Sequence, residues 1–436
     1  MLLLVLVIDR SSTSKSKSPH YEHENIVSQN RRKHARSGSK SAQRGTVAAA
    51  EDQVAGRSAA RQARFAGRSD KAARGAPGHL GKSVANRNVP DEYQPTMSVG
   101  VAIIGAGIMG TAHAGAVVAD ARAKLIGLAS VPVDAARALA AKYQAPVATA
   151  DYRELLARPD VDLVVIATPD HLHTEIAIAA AEAGKAILIE KPLATSLADA
   201  DRVIAAVERA GVTAMTSFNH RWIPSYARAH EEIAAGAIGR PRMAYTRKND
   251  RIYVPTKMLS WASGTSPAWF LSSHDIDLVC WFFGDDRATE VYATSVRGVL
   301  DRMGINTEDA IQAQVRFASG AVATFESCWI YPDTFPSMTD SFIEVVGEAG
   351  MVHLDRKDDQ LEIASQRSYD YPRLSIMPVL HGVQHGALAI GLSHMIRCVE
   401  SRTKPLVTLE SSRHVTAILD AIHRSLKAGG AVKVDA

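Results

Sequence analysis

Three groups of residues in this chain have the types and spacing to do chemistry on a small molecule. The first is the run "VAIIGAGIMGTAHAGAV", residues 101–117, with glycines at 105, 107 and 110. Gly105 allows a tight turn after the apolar run, Gly107 lets backbone approach a pyrophosphate, and Gly110 lets the following helix pack closely on the strand. A helix opening at Ile108 and Met109 offers free N–H groups and its positive end to phosphates. The second group is Glu190-Lys191-Pro192, which follows another apolar run. A lysine in a cleft hydrogen-bonds a reacting oxygen and supports its developing charge. Glu190 is expected to position that lysine or to contact a cofactor. The third is "SSHDIDLVCWFF", where His274, Asp277, Leu278 and Trp281 fall on one helical face near a helix start. Histidine titrates near working pH and suits removal of a hydroxyl proton, with a carboxylate close by. The plainer alternative for each is structural: glycines that only pack, a strand-end lysine in solvent, and a histidine bonded within the core.

Two further clusters stand beside these. "TRKNDRIYVPTKMLSW" supplies Arg247, Lys248, Asn249 and Arg251, donors suited to hydroxyls or a carboxylate. An ordinary strand with solvated charges is the alternative. His381 and His385 have the four-residue spacing of a metal pair on a helix, but no carboxylate motif accompanies them, and no metal is assigned.

Positioning such groups requires a scaffold, and the pattern around them supplies one. Val99–Ile104, Ala123–Ser130, Leu163–Ala167 and Ala186–Ile189 read as buried strands, and "VTAMTSFNHR" as another ending near Asn219. Helical stretches follow at Thr174–Ala183 and Leu197–Ala210. Strand and helix in alternation imply an open parallel sheet covered on both faces. Ligands then sit beyond the carboxyl ends of the strands. That rim carries Gly105–Gly110, Ser130, Thr168, Pro169, His171, His173, Glu190, Lys191 and Asn219, all expected to bind the cofactor. The tip of the second strand decides between nucleotides. An acid there would pair with the ribose hydroxyl and repel a 2′-phosphate, but the chain has Ser130, with Arg137 further along. The cofactor expected is NAD(P), leaning to NADP(H), with Arg137 either a phosphate partner or a solvated helix residue. The second half reads as successive strands, then two helices at about 384–401 and 410–428, which implies an α+β domain.

Composition bounds the class. The chain has 436 residues, 46% of them hydrophobic, enough for two or three domains. No run of 18 apolar residues occurs, so no membrane span is expected. Three scattered cysteines suggest reduced thiols and a cytoplasmic setting. Residues 1–96 hold 17 Lys+Arg against 8 Asp+Glu; the overall charge of +4 leaves the remaining residues at −5. The globular part is mildly acidic, which argues against nucleic-acid binding. Rich in Ser, Gly, Ala and basic residues, the first 97 residues read as a disordered basic extension before a folded part starting near Met97.

"GAGIMGTAHA", "ATPDHLH", "IEKPLATS", "FNHRW" and "SSHDIDLVCWFFG" occur in the order of the glucose–fructose oxidoreductase/inositol dehydrogenase (Gfo/Idh/MocA) family, which the chain resembles from Ser98 to its end. The resemblance implies a Rossmann dinucleotide-binding domain at 98–220. An α+β domain at 221–436, with a large, mostly antiparallel open sheet, would bind substrate and form homodimers or homotetramers. It implies a dehydrogenase or reductase acting on a hydroxyl or carbonyl carbon of a sugar, cyclitol or related polyol. Lys191, His274 and Asp277 are the expected catalytic residues, and Lys191, Arg247, Asn249 and His274 the expected substrate contacts. The chain departs from the family in one place: Phe270 stands where many members carry an aspartate four residues before the histidine. Asp250, Asp275 and Asp277 remain as substitutes. Two other functions stay open, an NAD-dependent glycoside hydrolase of the same fold and a catalytically silent cofactor-binding regulatory protein.

Overall fold

The computed structural model describes residues 98–435; the basic extension expected before Met97 lies outside them. The chain starts with β1 (Val99–Ile104), "VGVAII", in which every residue is buried, as a central strand covered on both faces must be. β2 (Ala123–Ala129), β3 (Val147–Thr149), β4 (Leu163–Ile166), β5 (Ala186–Ile189) and β6 (Ala214–Thr216) complete a six-stranded sheet of order β3-β2-β1-β4-β5-β6, and its pairings are parallel. Helices α1 (Ile108–Ala119), α2 (Val133–Tyr143), α3 (His173–Glu182) and α4 (Leu197–Ala210) connect the strands. The strand order reverses between β1 and β4, which opens a crevice at their carboxyl ends. Local signals set the helix ends. Ser196 accepts from the Asp199 amide at the start of α4, and Gly211, with φ +64°, ends it.

The second half begins with α5 (Pro224–Ala234) and β7 (Pro241–Arg251). It continues through α6 (Ser273–Phe283), β8 (Ala288–Val296), β9 (Ala310–Phe317), β10 (Val322–Tyr331), β11 (Thr339–Gly347) and β12 (Met351–Asp355). The sheet order is β12-β11-β7-β10-β9-β8, with the short strand Val432–Lys433 beyond β8. Every pairing is antiparallel except β7 with β10. Strict alternation along β9 and β10 marks a sheet buried on one face: Ala323, Phe325 and Trp329 point inward, each at most 1% exposed. Helix α6 lies across β7 and β10 on that inner face.

The strands of the two sheets fall on either side of residue 220, but the last two long helices pack across both halves. Helix α7 (Ala387–Ser401) returns to pack on α1 and on the turn 219–222, and α8 (Leu409–Ala428) lies between β8 and α4. Arg122, after α1, donates to Ser393 Oγ in α7 at 2.6 Å. Between β12 and α7 runs a long irregular stretch, 356–386, broken only by two hairpins of two-residue strands. No helix among the described residues is long and apolar enough to cross a membrane.

Candidate active site

The glycine turn can be tested position by position. Gly105 has φ +106°, and a Cβ there would lie 2.3 Å from the Ala167 carbonyl oxygen. A Cβ on Gly110 would lie 1.9 Å from Gly105 O. Backbone packing alone demands these two glycines. A Cβ on Gly107 would meet nothing within 4 Å, so packing does not explain it; a ligand closing on bare backbone does. Helix α1 opens at Ile108 and Met109 with Gly107 as its cap and no side chain accepting from its first amides, which leaves them for an anion. On the same rim Thr168 Oγ1 and Asn219 Oδ1 are buried without partners. These features fit a bound dinucleotide.

Other rim residues turn out to brace the site. His173 is buried, with Nδ1 2.8 Å from Pro192 O and Nε2 3.1 Å from Thr168 O. It ties the loop after β4, where Pro169 lies, to the loop after β5, and it presents no free nitrogen to a ligand, contrary to the expected cofactor contact. His171 is exposed. Ser130 Oγ donates to Pro132 O at 3.1 Å. Arg137 lies exposed on α2, with Nη1 3.1 Å from Asp134 Oδ1. Glu190 is buried, its Oε1 2.7 Å from His113 Nε2 on α1. Burial opposes its ionisation, but the His113 hydrogen bond and the His113 and Lys191 charges outweigh that and hold the carboxyl below its ordinary range. The acid thereby couples the phosphate-side helix to Lys191.

Lys191 leaves the end of β5 and crosses to the second domain. Its Nζ donates to the backbone oxygen of Phe270 at 2.9 Å and lies 4.2 Å above the Phe270 ring. The residue that replaces the family's aspartate thus holds the same lysine by a carbonyl and an aromatic face. Burial lowers the proton affinity of Lys191; Asp170, Glu190 and Asp250 oppose this without reversing it.

His274 opens α6 and stacks on His220, with ring centroids 4.0 Å apart and 13° between planes. Both Nδ1 atoms are buried without partners. Burial, reinforced by neighbouring positive charge, holds both imidazoles well below the usual histidine range. The charge on His274 comes from Lys191, Lys248, Arg356 and Arg373.

Three expected assignments change. Asp277 does not work beside His274. It is fully buried, and Arg221 takes both its oxygens, Nη2 at 2.6 Å and Nε at 2.9 Å. Arg247 and Asn249 point away from the site. Arg247 pairs with Asp340 at 2.6 Å, and Asn249 donates to Glu326 and Tyr331 on the other face of the sheet. Alternation along β7 puts their neighbours Lys248 and Asp250 on the site face instead, each 2% exposed. Lys248 Nζ binds Asp275 Oδ1 at 2.5 Å, next to His274. Asp250 accepts from the Thr339 hydroxyl, and burial pushes its carboxyl up to about 6. His220, Arg356 and Arg373 belong to the same cluster. The sequence reading missed them as site residues, although "FNHRW" contains His220.

Residues 99–218 match the oxidoreductase family with an NAD-binding Rossmann fold, and residues 226–353 match the GFO/IDH/MocA C-terminal domain. The chain is similar to levoglucosan dehydrogenase of Pseudarthrobacter phenanthrenivorans, with 33% identity over 53% of this chain and 67% of that protein. It is similar to myo-inositol 2-dehydrogenase of Thermotoga maritima, with 27% identity over 77% of this chain and 98% of that one. The crystal structure of a probable dehydrogenase from Thermotoga maritima superposes with a TM-score of 0.65 at 25% identity, covering 77% of this chain and 99% of that one. The glycine turn, the lysine at the end of β5 and the histidine at the start of α6 thus sit in matched domains, and the chain belongs to the Gfo/Idh/MocA family of NAD-binding oxidoreductases.

Proposed function

We propose that this protein interconverts a hydroxyl and a carbonyl at one carbon of a sugar-like or cyclitol substrate, with Lys191 at the reacting oxygen and His274 as the proton carrier. The observation that carries this is that Lys191, from the end of β5, reaches the backbone oxygen of Phe270, four residues before His274, at 2.9 Å. Nicotinamide, when bound, supplies or accepts the hydride. Lys191 donates from Nζ to the substrate oxygen and stabilises negative charge there. His274 is half-buried with Nδ1 sealed, so proton exchange with substrate runs through Nε2, and its low proton affinity keeps it neutral and able to accept. Asp250 takes the place of the missing aspartate. Of the three carboxylates considered, Asp277 is claimed by Arg221 and Asp275 by Lys248, whereas Asp250 is held by a hydroxyl and acts electrostatically on Lys191.

The names of the relatives support a dehydrogenase over the hydrolase and the silent cofactor-binder. With Ser130 at the ribose tip and no acid beside it, NADP(H) is accepted at least as well as NAD(H). Free Cys280, Cys328 and Cys398 accord with a reducing compartment such as the cytoplasm. The uncovered sheet face pairs with a second copy of the chain: Met243, Tyr292, Val322 and Met351 stand there with 41–50% exposure.

The test is a panel of sugars, cyclitols and sugar acids followed at the nicotinamide absorbance band with both cofactors. Net cofactor turnover is expected. Lys191→Ala and His274→Ala should each lose about a hundredfold or more in turnover with cofactor affinity kept. Near-normal turnover in both variants would overturn the assignment.

A further inference from the structure

Two guanidinium groups face the stacked histidines with donors unused. Arg356 follows β12, and its amide bonds Ser341 O at 2.9 Å. That places it across β11 from Ser341, which lies opposite Lys248 on β7. Directly opposed residues share a sheet face, so Arg356, Ser341 and Lys248 form a row on the site side. Arg356 is 6% exposed, yet neither Nη atom has a hydrogen-bond partner, and its Nε makes only a long 3.4 Å contact with Tyr226 Oη. Arg373 arrives on the stretch 356–386. Its Nη2 donates to Thr339 O at 3.0 Å, and its Nε is buried without a partner.

The surrounding carboxylates do not serve these donors. Asp275 holds Lys248, Asp250 accepts from Thr339, and Asp359 accepts from the Leu374 and Ser375 amides. A buried guanidinium without acceptors is costly. Its planar fork matches a carboxylate in two hydrogen bonds.

We propose that Arg356 and Arg373 bind a carboxylate carried by the substrate, so that the enzyme prefers sugar acids, uronic or aldonic, over neutral sugars and cyclitols. The inference rests on the dehydrogenase function proposed above. A carboxylate is favoured over a phosphate because Asp250 and Asp275 occupy the same face and repel a dianion more strongly.

The experiment compares D-glucuronate, D-galacturonate and D-gluconate with D-glucose, D-galactose and D-glucose 6-phosphate, with both cofactors. It uses the unaltered protein, Arg356→Met and Arg373→Gln. For at least one acid, kcat/KM should exceed that of the neutral sugars by about a hundredfold or more, since unpaired site donors reject a substrate lacking their partner. Arg356→Met should lose most of that advantage through KM, keeping cofactor affinity. Arg356→Lys, which keeps the charge but not the fork, should recover part of it. Calorimetry with the same acids and the cofactor-loaded protein reads binding apart from turnover. Acid binding that depends on Arg356 supports this inference even where turnover fails, a failure that would count against the dehydrogenase function instead. Preference for neutral sugars or for the phosphate, absence of acid binding across the three acids, or an acid preference unchanged in both arginine variants would overturn it.

Discussion

Lys191 rests on an aromatic ring and a backbone oxygen, so the carboxylate that tunes the site must come from elsewhere in the fold. Under the proposed function Asp250 takes that part, beside Asp170 and Glu190, whose charges also bear on Lys191. If it acts in its ionised form, kcat/KM should rise with pH through about 6 and level off above. Asp250→Asn should lower turnover by about a hundredfold and flatten that limb; an unchanged limb would assign it to another group. Stability follows the same titration with a defined sign. Folding raises the Asp250 pKa above its ordinary value of 3.8, so its contribution is fully present below pH 3.8 and is lost as pH rises through about 6. The Asn variant cannot ionise, and chemical denaturation should show its stability falling less across that window.

Elements decide which residues reach the cleft, and here the sequence was legible unevenly. The parallel sheet could be read because its signals are local: apolar runs, glycines at fixed offsets, a serine before α4. The face of β7 could not. From Arg247 to Asp250 every residue is polar, so period two shows no apolar side to mark the interior and does not separate Arg247 and Asn249, expected to touch substrate, from Lys248, one donor among four, and Asp250, one substitute acid among three. Arg356 and Arg373 join the site through strand register and a long loop, which no short motif encodes. His274 and Asp277 share a helical face as expected, but only tertiary structure brings Arg221 to claim the acid. Asp277→Ala should therefore act on stability. It leaves a buried guanidinium uncompensated, costing about 3–5 kcal/mol, read as a lower denaturant midpoint, with turnover of the remaining folded protein near normal. The glycine turn separates packing from binding in the same way. Gly110→Ala forces a Cβ onto Gly105 O and should destabilise the fold. Gly107→Ala should leave the melting temperature unchanged and weaken dinucleotide binding about tenfold or more, measured by calorimetry.

At the scale of the molecule, the uncovered sheet face and the returning helices set the behaviour. Replacing Val322 and Met243 together by Asp should place two charges on the exposed face and lower the assembled fraction seen by light scattering, with no loss of monomer fold. The returning helices carry a different consequence. Arg122 and Ser393 stand 271 residues apart in sequence, and α7 covers one side of α1. During synthesis the nucleotide-binding half emerges long before the segment that finishes it. Until residues 387–401 leave the ribosome, the side of α1 that receives α7 has no cover. Completion of the first domain therefore waits on synthesis of α7, and a polypeptide ended near residue 386 should be a substrate for chaperones and proteases even though it carries every strand of the parallel sheet.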